Sequence, residues 1–406
     1  MRLLLIVSAL VLPLQAFTIR VDYRFDSEGF FDNPDARAAL EAAAARWSRI
    51  IDQDLLAVDI GDEAQSDVRF QLANPGTGQV IQLSAAASAS SDFFTQFGQP
   101  EADVYLDGFF LEEDVWILFA GARSLNSSIA LGGSIGLGIN LVGVDEDPES
   151  IVNRGFNNGP DSLSVLGGIV SFDVDSDWHF GLFEEAPLGQ IDFYTIALHE
   201  IGHGLGLNST GNPQFDSLLS AEQYTGQFAV EAYNADNNDD VNTLEIVRLS
   251  PRDYHWENNV YQSQIFELGG PSRFGVVGDG ELQDLLMDPA AAFSQNVRRL
   301  EVTNVEVGAL RDLGWSVITE DPPAEPAPVV EVERSPEGVV RLSIPSRVER
   351  TYTIQTSISA GVWFSVSPVL LGDGSNLSWE DGEEGFIDPV GNSVDLADKF
   401  YRVIEN

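Results

Sequence analysis

Two histidines and one glutamate are spaced so that they could bind and use a metal ion. His199, Glu200 and His203 stand in the order H-E-x-x-H. Histidines four residues apart share one face of a helix, about 5–6 Å apart at Cβ, so both imidazoles can reach one Zn²⁺ at about 2.0–2.1 Å. Glu200 would then lie beside the metal, where its carboxylate can take a proton from an attacking water. In a chain with only 4 histidines, the pattern predicts a hydrolytic zinc site rather than a chance match.

The elements around this motif fit a strand followed by the metal helix. Residues 168–173 read as a strand, and Asp192 is a suitable N-cap for a helix over 193–205. Gly204 and Gly206 let the helix stop and the chain turn away beneath the metal. The Gly-rich stretch 131–141 lacks the Lys and the strand-to-helix context of a phosphate loop, and we predict a tight loop under the active site.

Composition limits the classes of function. The chain has 406 residues, which favours two or three domains, and 44% of them are hydrophobic, enough for real cores. The absence of cysteine excludes disulfides, thiol catalysis and Cys-based zinc sites. A formal net charge of −43 repels nucleic acid and anionic membrane surfaces. We therefore expect no nucleic-acid partner.

The N-terminal segment 1–16 is typical of a signal peptide. Arg2 supplies the positive charge, the apolar run 3–14 is too short to span a bilayer, and Ala16 ends a plausible cleavage site. A buried first strand is the alternative interpretation. No second apolar run reaches spanning length, so the mature protein is expected to be secreted, without membrane insertion.

Further helix signals lie on both sides of the motif. Asn33 and Pro34 are preferred at the N-cap and the first helical position, and they predict a helix over 35–51. Its apolar residues recur at helical spacing, so it should pack on a sheet. The run 303–306, Thr-Asn-Val-Glu, is a capping box that opens a helix stopped by Gly314.

The last quarter of the chain has a different character. Residues 319–329 form a Pro- and acid-rich linker, and residues 330–406 show short alternating strands separated by turn signals. This pattern predicts a small all-β sandwich, which contains no histidine. The predicted organisation is a signal peptide, a zinc-site domain over 17–318, the linker and the sandwich.

A second cation site is one interpretation of the stretch 236–242. Asp236, Asn238, Asp240 and Asn242 alternate as oxygen ligands for Ca²⁺ would in an EF-hand. The glycine and the final glutamate of that loop are missing. A solvated acidic loop is the alternative.

The motif and two later stretches resemble the metzincin zinc peptidases. The run 199–209, HEIGHGLGLNS, matches the family motif HExxHxxGxxH through its glycine, and Ser209 takes the last position. Met287, in Leu-Met-Asp-Pro, resembles the family's methionine turn (Met-turn), and 300–317 resembles its C-terminal helix. The resemblance implies an α/β zinc metallopeptidase domain with a mainly parallel twisted sheet, an active-site helix, the Met-turn and a smaller C-terminal subdomain. It also implies a protein or peptide substrate.

The third zinc ligand is assigned by a closer resemblance. Leishmanolysin-like metzincins insert a subdomain before the third histidine, which is followed by tryptophan and an acid; this chain has His255-Trp256-Glu257. His255 follows His203 by 51 intervening residues, and loop closure permits this because each doubling of loop length costs about 0.6 kcal/mol. Asp216 is the competing ligand. His179 precedes the helix and is either a rim residue that touches substrate or an exposed loop histidine.

These observations predict a secreted zinc endopeptidase with Glu200 as general base. One alternative is a binding or adhesion protein on a catalytically inactive peptidase scaffold, against which the intact Glu200 argues. Another is a zinc hydrolase of small molecules, which a broad cleft beside a free strand edge would disfavour. Substrate preference and oligomeric state stay open at this stage.

Overall fold

The structure is a computed structural model that describes most of the first three quarters of the chain and separate strands of the last quarter. The described residues are 17–59, 68–84, 102–105, 110–126, 128–139, 154, 166–182, 185–207, 213–220, 223–250, 253–256, 261–266, 282–288, 299–319, 331–334, 340–346, 351–357, 364–365, 370–371, 376–380 and 400–405. The predicted signal peptide, residues 1–16, lies outside them. The chain divides into two compact units, Met1–Asp321 and Pro322–Asn406, and each is described separately.

The first unit is a mixed α/β unit. Its helices are α1 Pro34–Ile50, α2 Phe193–Gly204, α3 Pro213–Ser217, α4 Gln227–Asn237 and α5 Asn304–Asp312, with a short 3₁₀ helix at Phe30–Asp32. Its strands are β1 Thr18–Asp22, β2 Val58–Asp59, β3 Val68–Ala73, β4 Val80–Ser84, β5 Ala102–Tyr105, β6 Phe110–Leu111, β7 Val115–Arg123, β8 Ala130–Ser134, β9 Gly136–Ile139, β10 Gly167–Asp173, β11 Trp178–His179, β12 Ile191–Asp192, β13 Leu219–Ser220, β14 Gln223–Tyr224, β15 Leu244–Ser250, β16 Asp253–Trp256, β17 Gln262–Gln264 and β18 Leu282–Asp284.

Four strands form the sheet on which helix α2 packs. Their order is β1-β7-β10-β8. Strands β1, β7 and β10 are parallel, and β8 runs antiparallel to β10 at the end of the sheet. Strand β7 is buried along nearly its whole length, as expected for a central strand of a parallel sheet. The predicted α/β class is confirmed for this unit, because a mostly parallel sheet is combined with helices.

Helix α1 begins and ends close to its predicted bounds. The Asn33 side chain accepts a hydrogen bond from the Asp35 amide, and Pro34 occupies the first turn. The Ala-rich face of α1 is buried. On that side, Trp47 donates its Nε1–H to the carbonyl of Leu198 in α2 at 3.0 Å. The predicted packing on a sheet therefore includes direct packing on the metal helix.

Helix α2 is capped as predicted and is buried from its first residue to its last. Asp192 accepts hydrogen bonds from the Thr195 amide at 3.1 Å and from its hydroxyl at 2.6 Å. Arg299 forms a buried ion pair with the same carboxylate, with its Nε 3.1 Å from Oδ2. Its guanidinium also donates to the carbonyls of residues 181 and 182. The N-terminus of α2 is thus fixed both by its own cap and by a cation from a distant segment.

The prediction of a loop for the Gly-rich stretch 131–141 is wrong. Its residues form most of β8 and all of β9, and β8 pairs with β10. Gly132 serves close packing: a Cβ at this position would lie 2.2 Å from the carbonyl oxygen of Glu200. Because Gly132 has no side chain, β8 can approach the backbone of α2 directly at Glu200.

Replacing Gly132 with alanine should therefore displace β8 from α2. The added methyl meets backbone, which cannot move aside as a flexible side chain would, so the free energy of unfolding should fall by about 1–3 kcal/mol. Gly133→Ala is the matched control, because nothing lies within 4 Å of a Cβ at that position. Chemical denaturation of both variants measures the difference, and equal stabilities would contradict the packing described for Gly132.

Smaller sheets and α5 complete the first unit. Strands β13-β14-β15-β16 form an antiparallel sheet that ends in β16. The capping box predicted at 303–306 is present at the start of α5, and Gly314 follows the helix with φ of 95°. Both predictions are confirmed.

The second unit contains two antiparallel sheets. Its strands are β19 Glu331–Arg334, β20 Val340–Pro345, β21 Thr351–Ser357, β22 Phe364–Ser365, β23 Leu370–Leu371, β24 Asn376–Glu380 and β25 Phe400–Glu405. One sheet has the order β19-β20-β24, and in the other β21 pairs with β22, β23 and β25. Leu342, Ile344 and Trp379 of the first sheet share one buried cluster with Tyr352 and Ile354 of the second.

Within the described ranges, no helix is both long enough and apolar enough to cross a membrane.

Candidate metal centre

The three histidines proposed as ligands come together at one buried point. His199 and His203 lie one turn apart on α2, with ring centroids 4.8 Å apart. His255 lies on β16, and its ring centroid is 5.1 Å from that of each of the other two. The side chains are 8%, 7% and 5% exposed, respectively. A strand some fifty residues further along the chain therefore returns to the metal helix.

The spacing of the nitrogens fits a metal site. The potential ligand atoms of His199, His203 and His255 all lie within 4.8 Å of one another. The Nε2 atoms of His199 and His255 are 3.1 Å apart, and two nitrogens bound tetrahedrally at about 2.0–2.1 Å would be about 3.3–3.4 Å apart. Among the described residues, this is the one group of three or more His, Cys, Asp or Glu that could hold a metal.

Backbone carbonyls orient the two histidines of α2. The Nδ1 of His199 lies 2.8 Å from the carbonyl oxygen of Leu286, and the Nδ1 of His203 lies 2.9 Å from that of Leu207. A carbonyl only accepts, so each Nδ1 must carry the proton. The lone pairs of both Nε2 atoms are then directed to the shared point, as metal-binding histidines require.

Burial keeps all three imidazoles neutral at ordinary pH. It lowers the pKa of His199 to about 4, although the hydrogen bond to Leu286 opposes the shift. Burial, together with the nearby His199, lowers the pKa of His203 to about 3. The pKa of His255 is lowered by burial and by both neighbouring histidines. Neutral imidazole is the form that binds metal, so few protons compete for this site near neutral pH.

Met287 lies beneath the helix between its two histidines. It is fully buried, and a Cβ added to Gly202 would be 2.8 Å from its Sδ. Leu286, whose carbonyl orients His199, directly precedes it, and the Met287 carbonyl accepts a hydrogen bond from the Trp256 amide at 3.2 Å. The turn at 286–287 thus contacts both the metal helix and the strand that carries His255.

Glu200 follows His199 on α2 and is 7% exposed. Its backbone packs on Gly132 of β8. Strand β8 ends the sheet, and its second edge pairs with no other described strand. The carboxylate-bearing residue of the motif therefore lies beside an edge strand of the central sheet.

The remaining candidates lie elsewhere. Asp216 is exposed on α3 and takes no part in the three-histidine group. Ser209 lies outside the described residues. His179 is 9% exposed in β11, which pairs with β12, so the alternative of an exposed loop histidine is wrong. The carboxylate of Asp236 accepts hydrogen bonds from the Gln264 amide at 2.9 Å and from the Ser263 hydroxyl and the Asn304 amide group.

Sequence reasoning missed several groups around the site. The carbonyls of Leu207 and Leu286 could not be found, because a backbone acceptor has no sequence signal. Arg299 carried no local pattern. Glu306 was found as part of a capping box, but its contacts with the segments of the metal site were not predicted.

Comparison with known proteins finds a family match over part of the chain. The model of the matrixin family, which is one of the metzincin families, matches residues 146–245, roughly a quarter of the chain. The match includes His199, Glu200 and His203 and ends before His255. It supports a zinc metallopeptidase at the level of the family. No curated protein and no solved structure matches the chain significantly.

Proposed function

We propose that this chain is a secreted zinc-dependent endopeptidase. His199, His203 and His255 would hold the zinc, and Glu200 would act as general base. The observation that carries the proposal is the buried group of three neutral imidazoles on α2 and β16. The matrixin match over the α2 motif supports the same class. The zinc would supply Lewis-acid polarisation of the scissile carbonyl and acidification of the attacking water.

The chain's own residues account for the proton transfers. Glu200 accepts the proton of the attacking water and delivers it to the leaving amine, as a general base and then a general acid. Glu200 is buried and directly follows the proposed ligand His199 on α2. The Leu286 and Leu207 carbonyls keep the imidazoles in the required tautomer while this happens.

Strand β8 favours a peptide substrate over a small molecule. Its second edge is unpaired among the described strands, and it lies against the backbone of Glu200. An extended peptide can add to such an edge through main-chain hydrogen bonds. The zinc-loaded chain should therefore cleave casein at internal bonds, with the fragments identified by mass spectrometry. Hydrolysis of a small ester without casein cleavage would instead support a small-molecule hydrolase.

The placement of His255 supports a leishmanolysin-like arrangement of the third ligand. In the short metzincin motif the last ligand follows the helix closely, whereas here the segment between His203 and His255 includes α3, α4 and the hairpin of β15 and β16. These elements would form the inserted subdomain of that arrangement. Met287 would serve as the residue of the Met-turn beneath the ligands.

The second unit would be a β-sandwich that serves attachment or substrate capture. The shared buried cluster of its two sheets supports the sandwich arrangement.

Ca²⁺ binding over 236–242 remains a prediction. The hydrogen bonds accepted by Asp236 give that carboxylate a structural role without a cation. Secretion rests on the pattern of residues 1–16.

Removal of the second unit should leave the chemistry intact. A chain ending at Glu320 retains every element that carries a proposed ligand, and the boundary between the two compact units lies next to that residue. Its zinc content and its kcat/KM on a short peptide should stay within about twofold of those of the full chain. Loss of zinc from the shortened chain, with its circular dichroism unchanged, would contradict the proposed boundary.

A further inference from the structure

The carboxylate of Glu306 is buried where three segments of the first unit meet. Glu306 lies in the first turn of α5 and has no exposed surface. It accepts four hydrogen bonds, from Thr303, Trp256 and Met287. Two of these partners are far from Glu306 in sequence, so the contacts were formed by the fold and not by the helix alone.

One oxygen of Glu306 completes the capping box. Its Oε2 accepts from the amide of Thr303 at 3.1 Å and from the Thr303 hydroxyl. In a capping box the glutamate has only to accept from the N-cap amide, while the N-cap hydroxyl accepts from the amide of the glutamate. The local function of Glu306 therefore explains only one of its two oxygens.

The other oxygen joins the two segments that adjoin the histidines. Oε1 accepts from the indole Nε1–H of Trp256 at 3.2 Å and from the backbone amide of Met287 at 3.3 Å. The amide of Trp256 in turn donates to the Met287 carbonyl at 3.2 Å. Trp256 and Met287 are therefore connected both to each other and to one carboxylate oxygen.

Each of these two segments adjoins one histidine. Trp256 directly follows His255 on β16, so the position of its indole restrains the backbone that carries the third imidazole. Met287 follows Leu286, whose carbonyl holds the Nδ1 of His199 at 2.8 Å. A shift of the Oε1 contacts would move His255 relative to His199, and the distance between their Nε2 atoms would change.

We propose that Glu306 is a positioning residue that sets the spacing of His255 and His199 through Trp256 and the 286–287 turn. This inference rests on the proposed zinc centre. It assigns to α5 a role in metal affinity, in addition to its role in the fold. Partners that orient metal ligands from outside typically change metal affinity by about 10–100-fold when they are replaced.

The position requires a carboxylate and not an amide. All four groups that face Glu306 can donate, and an ionised carboxylate offers acceptors on both oxygens. Glutamine has one acceptor oxygen and one NH₂ group of nearly the same size. In either orientation the NH₂ would face a backbone N–H, of Thr303 or of Met287, and one set of contacts would be lost.

The test compares Glu306→Gln with Asp312→Asn in the full-length protein. Asp312 lies on the same helix, and its carboxylate also accepts backbone hydrogen bonds, from Phe228 and Ala229 at the start of α4. Zinc Kd is measured by competition with a chelator, and the visible spectrum of the Co²⁺-loaded protein reports ligand geometry. We expect Glu306→Gln to raise the zinc Kd by about 10–100-fold and to alter the Co²⁺ spectrum. Asp312→Asn should lower Tm while leaving both readouts unchanged.

A second variant keeps the test decisive if Glu306→Gln does not fold. Trp256→Phe removes the indole N–H and retains an aromatic ring, and it should raise the zinc Kd at least several-fold. A glutamine that turns its oxygen toward Trp256 and Met287 keeps those contacts and loses only the cap, so Trp256→Phe decides in either case. An unchanged Kd and Co²⁺ spectrum in Trp256→Phe would overturn the inference and leave Glu306 as a helix cap. Failure of the unaltered chain to bind zinc would instead contradict the proposed function.

Discussion

Replacing Glu200 with alanine should abolish casein cleavage while the protein keeps its zinc. General-base catalysis contributes about 10²–10⁴-fold to the rate, and Glu200 is the group of the motif placed to supply it. Glu200 is the neighbour of His199 in sequence but is not among the three histidines grouped as potential metal ligands, so replacing it leaves those ligands in place. The measurement is kcat/KM on a fluorogenic peptide, together with zinc content, for the unaltered and variant proteins.

Glu200→Gln is the matched control for shape. It preserves the volume and removes the basicity, so it should lose activity to about the same extent as Glu200→Ala. Cleavage by either zinc-loaded variant at the unaltered rate would exclude Glu200 as the base. If the unaltered protein binds zinc but cleaves no peptide, the alternative of an inactive binding scaffold is the better description.

Replacing His255 with alanine should both weaken zinc binding and abolish cleavage. The variant retains two of the three buried imidazoles. A zinc site that loses one of its three protein ligands should bind zinc more than about 100-fold more weakly, which is a larger loss than replacing a residue that only orients a ligand would cause. Zinc Kd by chelator competition and kcat/KM on the same peptide measure the two effects. The contact between the His199 and His255 nitrogens, at 3.1 Å, is the geometric basis for this expectation.

Two controls separate His255 from its competitors in sequence. Ser209→Ala should leave both zinc affinity and cleavage nearly unchanged, although serine occupies the last position of the short metzincin motif. Asp216→Asn should behave likewise, because Asp216 is exposed on α3. Full zinc occupancy in His255→Ala would refute the assignment, and Asp216 would then be the next ligand to examine.

The elements with local signals were predictable from the sequence. Helix α1 followed from Asn33 and Pro34, and helix α2 from Asp192, because caps are satisfied by backbone amides within three residues. The capping box of α5 belongs to the same kind of rule. His199 and His203 could be predicted to share one metal because a helix fixes the spacing of residues four apart.

The parts of the site that depend on tertiary contacts were less predictable. His255 follows His203 after 51 intervening residues, where no helical spacing fixes its position. Its assignment rests on the resemblance at residues 255–257, the small number of histidines and the loop length that permits a return to the metal. The glycines of β8 were interpreted as a loop, since glycine needed for backbone approach and glycine needed for a turn look alike in a sequence. The second oxygen of Glu306 and the Leu286 carbonyl gain their roles only when distant segments meet.

The central claim is most directly tested by restoring zinc to the metal-free protein and measuring casein cleavage. The chain is stripped of metal with a chelator, and cleavage is followed as Zn²⁺ is added back in known amounts. The account predicts no cleavage by the stripped protein and full activity at about one zinc per chain, as a three-histidine catalytic site requires. Undiminished cleavage by the metal-free protein, or no cleavage at any zinc content, would contradict it.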